Sequence, residues 1–392
     1  MREYVLHPTL PANQGSAFIG RAEKERRKIL AHLLGRRLRA IDAQLCAPGG
    51  LPEHGIHRIL VCRPNHRLGN TVLISPLLRE LETMYPGAEI DILSAGCAAE
   101  TLFRTRFQVR RIISLPRRIP RRPLHSIRLV RSVVRERYDL AIDACLQSNM
   151  GRLLLGACTA RFKIGFPYAA ENGSPLAAYH QSCPTHFALR NVHLLRVARG
   201  MARAQSWPAL NVGLEPLELN RGKVVLNAIL EQPAESTDTR PVLGIFANAT
   251  GDKRYPETWW QEFIAVLRQR HPDVRIVDIL AEHGLSQLPG TPHPFYSRNL
   301  RKLAAVLANL DGFISADCGV MHLASAVGAP TLGLFSRDNS DKYAPYGGTN
   351  HAIDTQTCSS GAQVAEQASR WVDRLRRAHR AERPTRLLES TA

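Results

Sequence analysis

Apolar runs of five to seven residues alternate with amphipathic segments along most of the chain. The pattern predicts strands at Ile56 to Cys62, Glu89 to Leu93, Ile112 to Leu115, Tyr138 to Ile142 and Arg161 to Phe166. Between them, Thr71 to Tyr85 reads as a helix with Leu73, Leu77, Leu78 and Leu81 in phase, and His186 to Met201 as a longer one. Leu217 to Leu230 is helical in pattern, and Gln232 to Arg240 is polar and turn-rich. Alternation then resumes with strands at Val242 to Ala247, Val274 to Leu280, Gly312 to Ser315 and Thr331 to Phe335. Helices at Glu257 to Gln269, Leu300 to Ala308, one starting at about Val320, and Gln363 to Arg377 lie between and after them. Such alternation implies parallel sheets flanked by helices. Two Rossmann-like domains facing a cleft are the economical arrangement.

The ends differ. Residues 21–45 predict a helix with Leu30, Leu33, Leu34, Leu38, Ile41 and Leu45 on one face and Arg26, Arg27, Lys28, Arg36, Arg37 and Arg39 on the other. A basic amphipathic helix either lies on anionic lipid or packs its apolar face on the domain; packing is the preferred expectation. The expected division is an extension at 1–50, a first domain at 51–235, a second at 236–360, and a C-terminal helix with a basic tail at 361–392.

Composition narrows the partners. Fifty-two basic residues against 34 acidic ones leave a net charge of +18, an excess that points to an anionic partner. Ten arginines fall between Arg110 and Arg137 with no aromatic residue among them, which suits phosphate or lipid headgroups better than a single-stranded nucleic acid. A nucleic-acid binder is favoured by net charge alone and is not expected. The eight cysteines form no CxxC, so no zinc site is signalled, and buried free thiols fit a reducing compartment. With neither an apolar signal core nor a membrane span, the expected location is cytoplasmic, at most peripheral to the inner face of the membrane.

Three turns carry candidate chemistry, each at the end of a strand. GxGxxG and GxxxxGK[ST] are absent, which weakens the nicotinamide and P-loop readings. After the first strand comes RPNHRLGNT (63–71), where Gly69 permits close backbone approach and Asn70 or Thr71 is expected to cap the helix. In the second half, Lys253 precedes a Pro-initiated helix and suits a diphosphate, a solvated loop lysine being equally good. Glu282, past the next strand, can accept from ribose hydroxyls, an exposed surface carboxylate being the plainer account. SADCGVMHLASAVGAPTLGLF (315–335) joins strand, turn, helix and strand, with the turn where free N–H groups attract an anion; a capping Asp317 is the plainer account.

Together RPNHRLGNTVLISPLLRELETMYPGAEIDIL (63–93), GDKRYPETWWQEFI (251–264) and the 315–335 segment resemble glycosyltransferase family 9, the bacterial lipopolysaccharide heptosyltransferases. The resemblance implies an α/β fold of GT-B type and metal-independent, inverting transfer from ADP-heptose to the anionic inner core of lipopolysaccharide. No cofactor is implied, the sugar nucleotide being a co-substrate. It implies that Asp317, Cys318, Gly319, Val320 and His322 hold the donor diphosphate, that Lys253 neutralises it, and that Glu282 binds the ribose. Gly69, Arg117, Arg118, Arg121 and Arg122 would meet the acceptor. One departure stands out: the family's catalytic Asp after the glycine is Asn70 here, and an amide cannot take the acceptor proton. His66 then serves as base, or Asn70 orients the acceptor while another group takes the proton, or the chain binds sugar nucleotide or lipopolysaccharide without transferring.

Overall fold

The computed structural model describes the chain apart from residues 1–33, 117–122, 147, 169–173, 202–205, 234–237, 239, 289, 292, 358–359 and 390–392, with backbone alone at 378–389. Residues 34–42 form α1. There follow β1 (Arg58–Arg63), α2 (Leu68–Val72), α3 (Ser75–Met84), β2 (Glu89–Ala95), α4 (Ala98–Phe103), β3 (Val109–Leu115), α5 (Pro123–Val134), β4 (Arg137–Asp143), α6 (Asn149–Ala157), β5 (Thr159–Ile164), α7 (Phe187–Arg199) and α8 (Pro216–Ile229). The second half runs β6 (Val242–Phe246), α9 (Glu257–Arg270), β7 (Arg275–Ile279), β8 (His293–Phe295), α10 (Leu300–Leu307), β9 (Gly312–Ala316), α11 (Gly319–Ala326), β10 (Thr331–Phe335), α12 (Ser340–Tyr343), β11 (His351–Asp354) and α13 (Gly361–Glu389).

Two parallel sheets result, ordered β3-β2-β1-β4-β5 and β11-β10-β9-β6-β7-β8. The chain reverses direction across each sheet between neighbours that are not consecutive: β1 beside β4, and β6 beside β9. At such a point the loops diverge and leave a crevice beyond the carboxyl ends of the strands, where open α/β sheets bind ligands. β6, β9 and β10 read VLGIF, GFISA and TLGLF and are buried throughout, as strands covered on both faces must be.

Two local expectations are corrected, and the packed reading of the extension helix holds for its described part. The helix expected over 71–85 is two helices, because Pro76 lacks an N–H and cannot bond the Val72 carbonyl one turn back; it stands instead in the first turn of α3. Neither Asn70 nor Thr71 caps: Arg67 stands at the N-cap of α2 without a side-chain bond, Asn70 lies inside the helix, and the Thr71 hydroxyl donates back to the Arg67 carbonyl at 3.3 Å. The part of the basic extension helix that is described packs inward, with Leu38, Ile41 and Leu45 buried. Its Asp42 accepts from Arg152 Nη1 at 2.8 Å and from the Tyr168 N–H at 2.6 Å. Cys46 N–H donates to the Lys163 carbonyl at 2.7 Å, and Lys163 Nζ to Gln44.

The second half draws in its flanks. Helix α8 packs on α10, and Arg301 of α10 holds Glu218 of α8 in an ion pair. Helix α13 lies on α9, burying Val364, Ala368 and Trp371 among Trp259, Trp260 and Phe263. Arg301 also reaches the first half, donating to the carbonyls of Leu102 at 3.0 Å and Gly213 at 2.9 Å. Among the described residues no helix is long and apolar enough to cross a membrane.

Candidate active site

Lys253 and Asp317 lie at the two loops of the second sheet's reversal point, after β6 and β9. Lys253 Nζ sits 2.9 Å from Asp317 Oδ2 and donates also to the Asp317 carbonyl at 3.3 Å. Asn339, in the loop after β10, donates to the same carboxylate oxygen at 2.8 Å. Asp317 is buried and Lys253 only partly exposed, so neither the solvated lysine nor the capping Asp is what the fold contains. Cys318 is the N-cap of α11 and makes no side-chain cap bond. Its thiol lies 3.3 Å from Ser315 Oγ, and burial raises its pKa. Cys318, Gly319 and Val320 are each part-exposed at the helix start. This is a helix N-terminus with a lysine held beside it, an arrangement that stabilises an anion. Above it Arg337 ion-pairs with Asp252, joining the two loops that carry Asn339 and Lys253.

The first domain closes on this site through glycine. A Cβ placed on Gly319 would meet Leu68 Cβ at 2.8 Å and the Gly69 nitrogen at 2.9 Å; one on Gly69 would meet His322 Cδ2 at 2.8 Å. The two helices that start at the switch points, α2 and α11, therefore touch backbone to backbone. Gly69 was expected to admit a ligand; what it admits in this structure is the other domain. His322 is consequently shut in, 3% exposed, with Nδ1 lacking a hydrogen-bond partner. Burial depresses its pKa, opposed by the Asp317 charge. Its ring lies 6.2 Å from that of Tyr343, which packs edge-on to Phe187 of α7 at 4.8 Å.

His186 ties the halves together as well. Its Nδ1 accepts from the Ala188 N–H at 3.3 Å, so the proton is on Nε2, which donates to the Ala344 carbonyl at 2.8 Å. Burial lowers its pKa and so favours this neutral form.

The remaining candidates are more dispersed. His66 is exposed in the turn after β1, and Asn70 is part-exposed in α2. Glu282 is exposed just beyond β7, its carbonyl accepting from Tyr296 at 3.0 Å. Arg117, Arg118, Arg121 and Arg122 lie outside the described residues. Arg110 and Arg111, from the same basic stretch, are engaged: both bind the buried Asp91 carboxylate, at 2.6 and 2.7 Å. Together with the Tyr138 hydroxyl they hold the Asp91 pKa below its ordinary value against the cost of burial.

Sequence reasoning passed over Arg63, Asn339, Tyr343, His186 and Asp143. Arg63 ends β1 and donates to the Ala144 carbonyl at 2.6 Å. Asp143 ends β4 beside Cys62; burial pushes its carboxyl up to about 6 despite Arg152 and Arg63. The placement of Arg63 and Asp143 at strand ends was a usable signal, since both strands were expected. Asn339, Tyr343 and His186 carried none, because their importance comes from loops that meet only in the folded chain.

Two parallel-sheet domains that face each other with their switch points opposed make the GT-B arrangement of glycosyltransferases, and solved structures agree. The heptosyltransferase WaaC of E. coli, determined with ADP, superposes with a TM-score of 0.59 over 81% of this chain and 99% of that one, at 19% identity. The chain belongs to glycosyltransferase family 9 (heptosyltransferase), whose model matches residues 126–370. Lipopolysaccharide heptosyltransferase 1 of Salmonella typhimurium is 22% identical over 309 residues, 74% of this chain and 92% of that protein. Lipopolysaccharide core heptosyltransferase OpsX of Haemophilus influenzae is 26% identical over 80 residues, a match spanning 20% of this chain and only 23% of OpsX.

Proposed function

We propose that the protein transfers heptose from ADP-heptose to the anionic inner core of lipopolysaccharide, with inversion and without a metal. The observation that carries this reading is the Lys253–Asp317 pair at the start of α11, facing the β1–α2 turn of the other domain. The acceptor oxygen attacks the anomeric carbon as its bond to the diphosphate breaks, and ADP leaves. Lys253 and the N–H groups of Cys318, Gly319 and Val320 receive the charge that develops on the diphosphate, which is transition-state stabilisation by fixed dipoles and a fixed cation. Asp317 and Asn339 hold Lys253 in place. Glu282 accepts from the ribose hydroxyls.

The proton goes to His66. The carboxylates at the ends of β4 and β9 are otherwise engaged: Asp143 is buried beside Arg152, and Asp317 is held by Lys253 and Asn339. Asn70 orients the acceptor. The test incubates wild-type protein with ADP-heptose and a heptose-deficient core lipid, following ADP release and lipid mass. A lipid heavier by one heptose is expected; protein that binds ADP yet yields neither product would defeat the reading. His66→Gln is expected to lower kcat by roughly 10² or more while leaving the KM for ADP-heptose near its wild-type value. An unchanged kcat would move the base to a substrate phosphate.

The same reading places the protein on the cytoplasmic face of the inner membrane, at its surface. One face of α5 carries Leu124 and Ile127, both exposed, then Arg128 and Arg131 at helical spacing, with Arg135 just past its end. Apolar side chains beside a row of cations suit an anionic bilayer. Co-sedimentation with phosphatidylglycerol vesicles is expected to exceed that with phosphatidylcholine and to fall several-fold in Leu124→Glu/Ile127→Glu. Equal binding of both proteins to both vesicles would refute a membrane role for this face.

A further inference from the structure

Most cations near the cleft are already balanced. Lys253 has Asp317, Arg106 has Glu82, Arg152 has Asp42, Arg196 has Glu80 and Arg301 has Glu218. Three arginines of the first domain differ: Arg63, Arg67 and Arg190 have no ion-pairing carboxylate among the described residues. They come from separate elements, the end of β1, the N-cap of α2 and the first turn of α7.

Their surroundings bring them to one place. Arg190 lies over the Phe187 ring at 4.9 Å and donates to the Pro184 carbonyl at 2.8 Å. Phe187 packs on Tyr343, and Tyr343 faces His322 beneath Gly69, two residues from Arg67. Burial and Asp317 raise the Tyr343 hydroxyl pKa; Arg63, Arg67 and Arg190 all act against them, so all three are within electrostatic reach of that ring. Arg63 also keeps a buried Nε without a hydrogen-bond partner. An unpartnered buried guanidinium nitrogen costs free energy that a bound anion recovers.

We propose that Arg63, Arg67 and Arg190 form an anion subsite on the first-domain side of the cleft, across Tyr343 from Lys253 and Asp317, that grips a phosphate or carboxylate of the acceptor next to its accepting hydroxyl. Guanidinium forks suit either group, because both present paired oxygens for two parallel N–H bonds. The subsite moves acceptor recognition from the 117–122 arginines to the turn that carries His66 and Asn70. It also sets the anion within one residue or so of the groups that handle the attacking hydroxyl.

The proposal rests on the transfer reading, and the test separates the two. Arg67→Ala, Arg190→Met and the double variant are assayed with the heptose-deficient core lipid and with the same lipid after phosphatase treatment, and ADP binding is titrated in each. The double variant is expected to raise the acceptor KM roughly tenfold or more, with ADP affinity unchanged, which also reports intact folding. If the bound group is phosphate, phosphatase treatment raises the wild-type KM and leaves the double variant's where it is. If it is carboxylate, the treatment changes neither. An acceptor KM unchanged in the double variant, or one that rises only together with lost ADP binding, overturns the subsite. Should wild type fail to transfer, direct binding of the core lipid replaces KM, and equal affinity of wild type and double variant overturns it.

Discussion

Lys253→Met is expected to lower kcat by about 10²–10³, the loss that follows removal of one fixed electrostatic stabiliser from a transition state. Lys253 stands in an unusual balance. Without donor it neutralises Asp317, which is 6% exposed at its side chain; with donor its charge is shared with the diphosphate. Removing it therefore does two kinds of harm. The carboxylate keeps only the Asn339 amide, and breaking a buried pair from one side costs up to about 3–5 kcal/mol. The surviving hydrogen bond and the partial exposure of Lys253 bring that nearer ~1–2 kcal/mol. The two harms come apart in Lys253→Met/Asp317→Asn, which removes both charges together. Thermal stability should return close to wild type in the double variant, while kcat should not. Recovery of kcat alongside stability would mean that Lys253 acts only as a counter-ion for Asp317.

Gly319→Ala is the second large effect, and it arises from space. The added methyl would lie 2.9 Å from the Gly69 nitrogen and 2.8 Å from Leu68 Cβ. Neither a backbone nitrogen nor a Cβ can turn away, so α2 and α11 must part. A misplacement near 1 Å between reacting groups costs about 10²-fold in rate. Overpacking should cost about 1–3 kcal/mol of stability. ADP affinity should change less, because the donor loops lie within one sheet. Gly69→Ala makes a useful contrast: its methyl meets mainly the His322 side chain rather than backbone, and its kcat should fall less than that of Gly319→Ala. Steady-state rates with ADP titration decide the matter. Gly319→Ala with a kcat within threefold of wild type would show that the two helix starts need not touch during transfer.

Legibility in the sequence followed the range of the interaction. The buried strands were plain because VLGIF, GFISA and TLGLF are continuous apolar runs. The 315–335 segment was plain because a turn and its helix are local. Short elements such as α4, β8 and β11 were not, since six residues or fewer give the helical or strand period little to repeat. Asp91 looked like the polar position of an alternating strand, EIDIL, and nothing nearby revealed that Arg110 and Arg111 cross from β3 to reach it. Asn70 illustrates the opposite error. Capping was the natural account of an Asn near a helix start, but the helix begins three residues earlier than its periodicity shows. With capping removed, the Asn70 side chain has no hydrogen bond among the described residues, and the proposal above gives it the task of orienting the acceptor.

Arg152 carries a further consequence. It lies between Asp42 of α1, at 2.8 Å, and Asp143 at the end of β4, at 3.6 Å. The shared family model starts at residue 126, after β1, β2 and β3 have already been laid down. The family model therefore draws its border straight through a sheet, and leaves Asp42 on the far side of it. Anyone trimming the chain to that match would keep the guanidinium and discard one of its two counter-charges. The basic extension is thus wired into the first sheet, and an expression fragment cut at the family model's border would lose part of that domain's own electrostatic foundation.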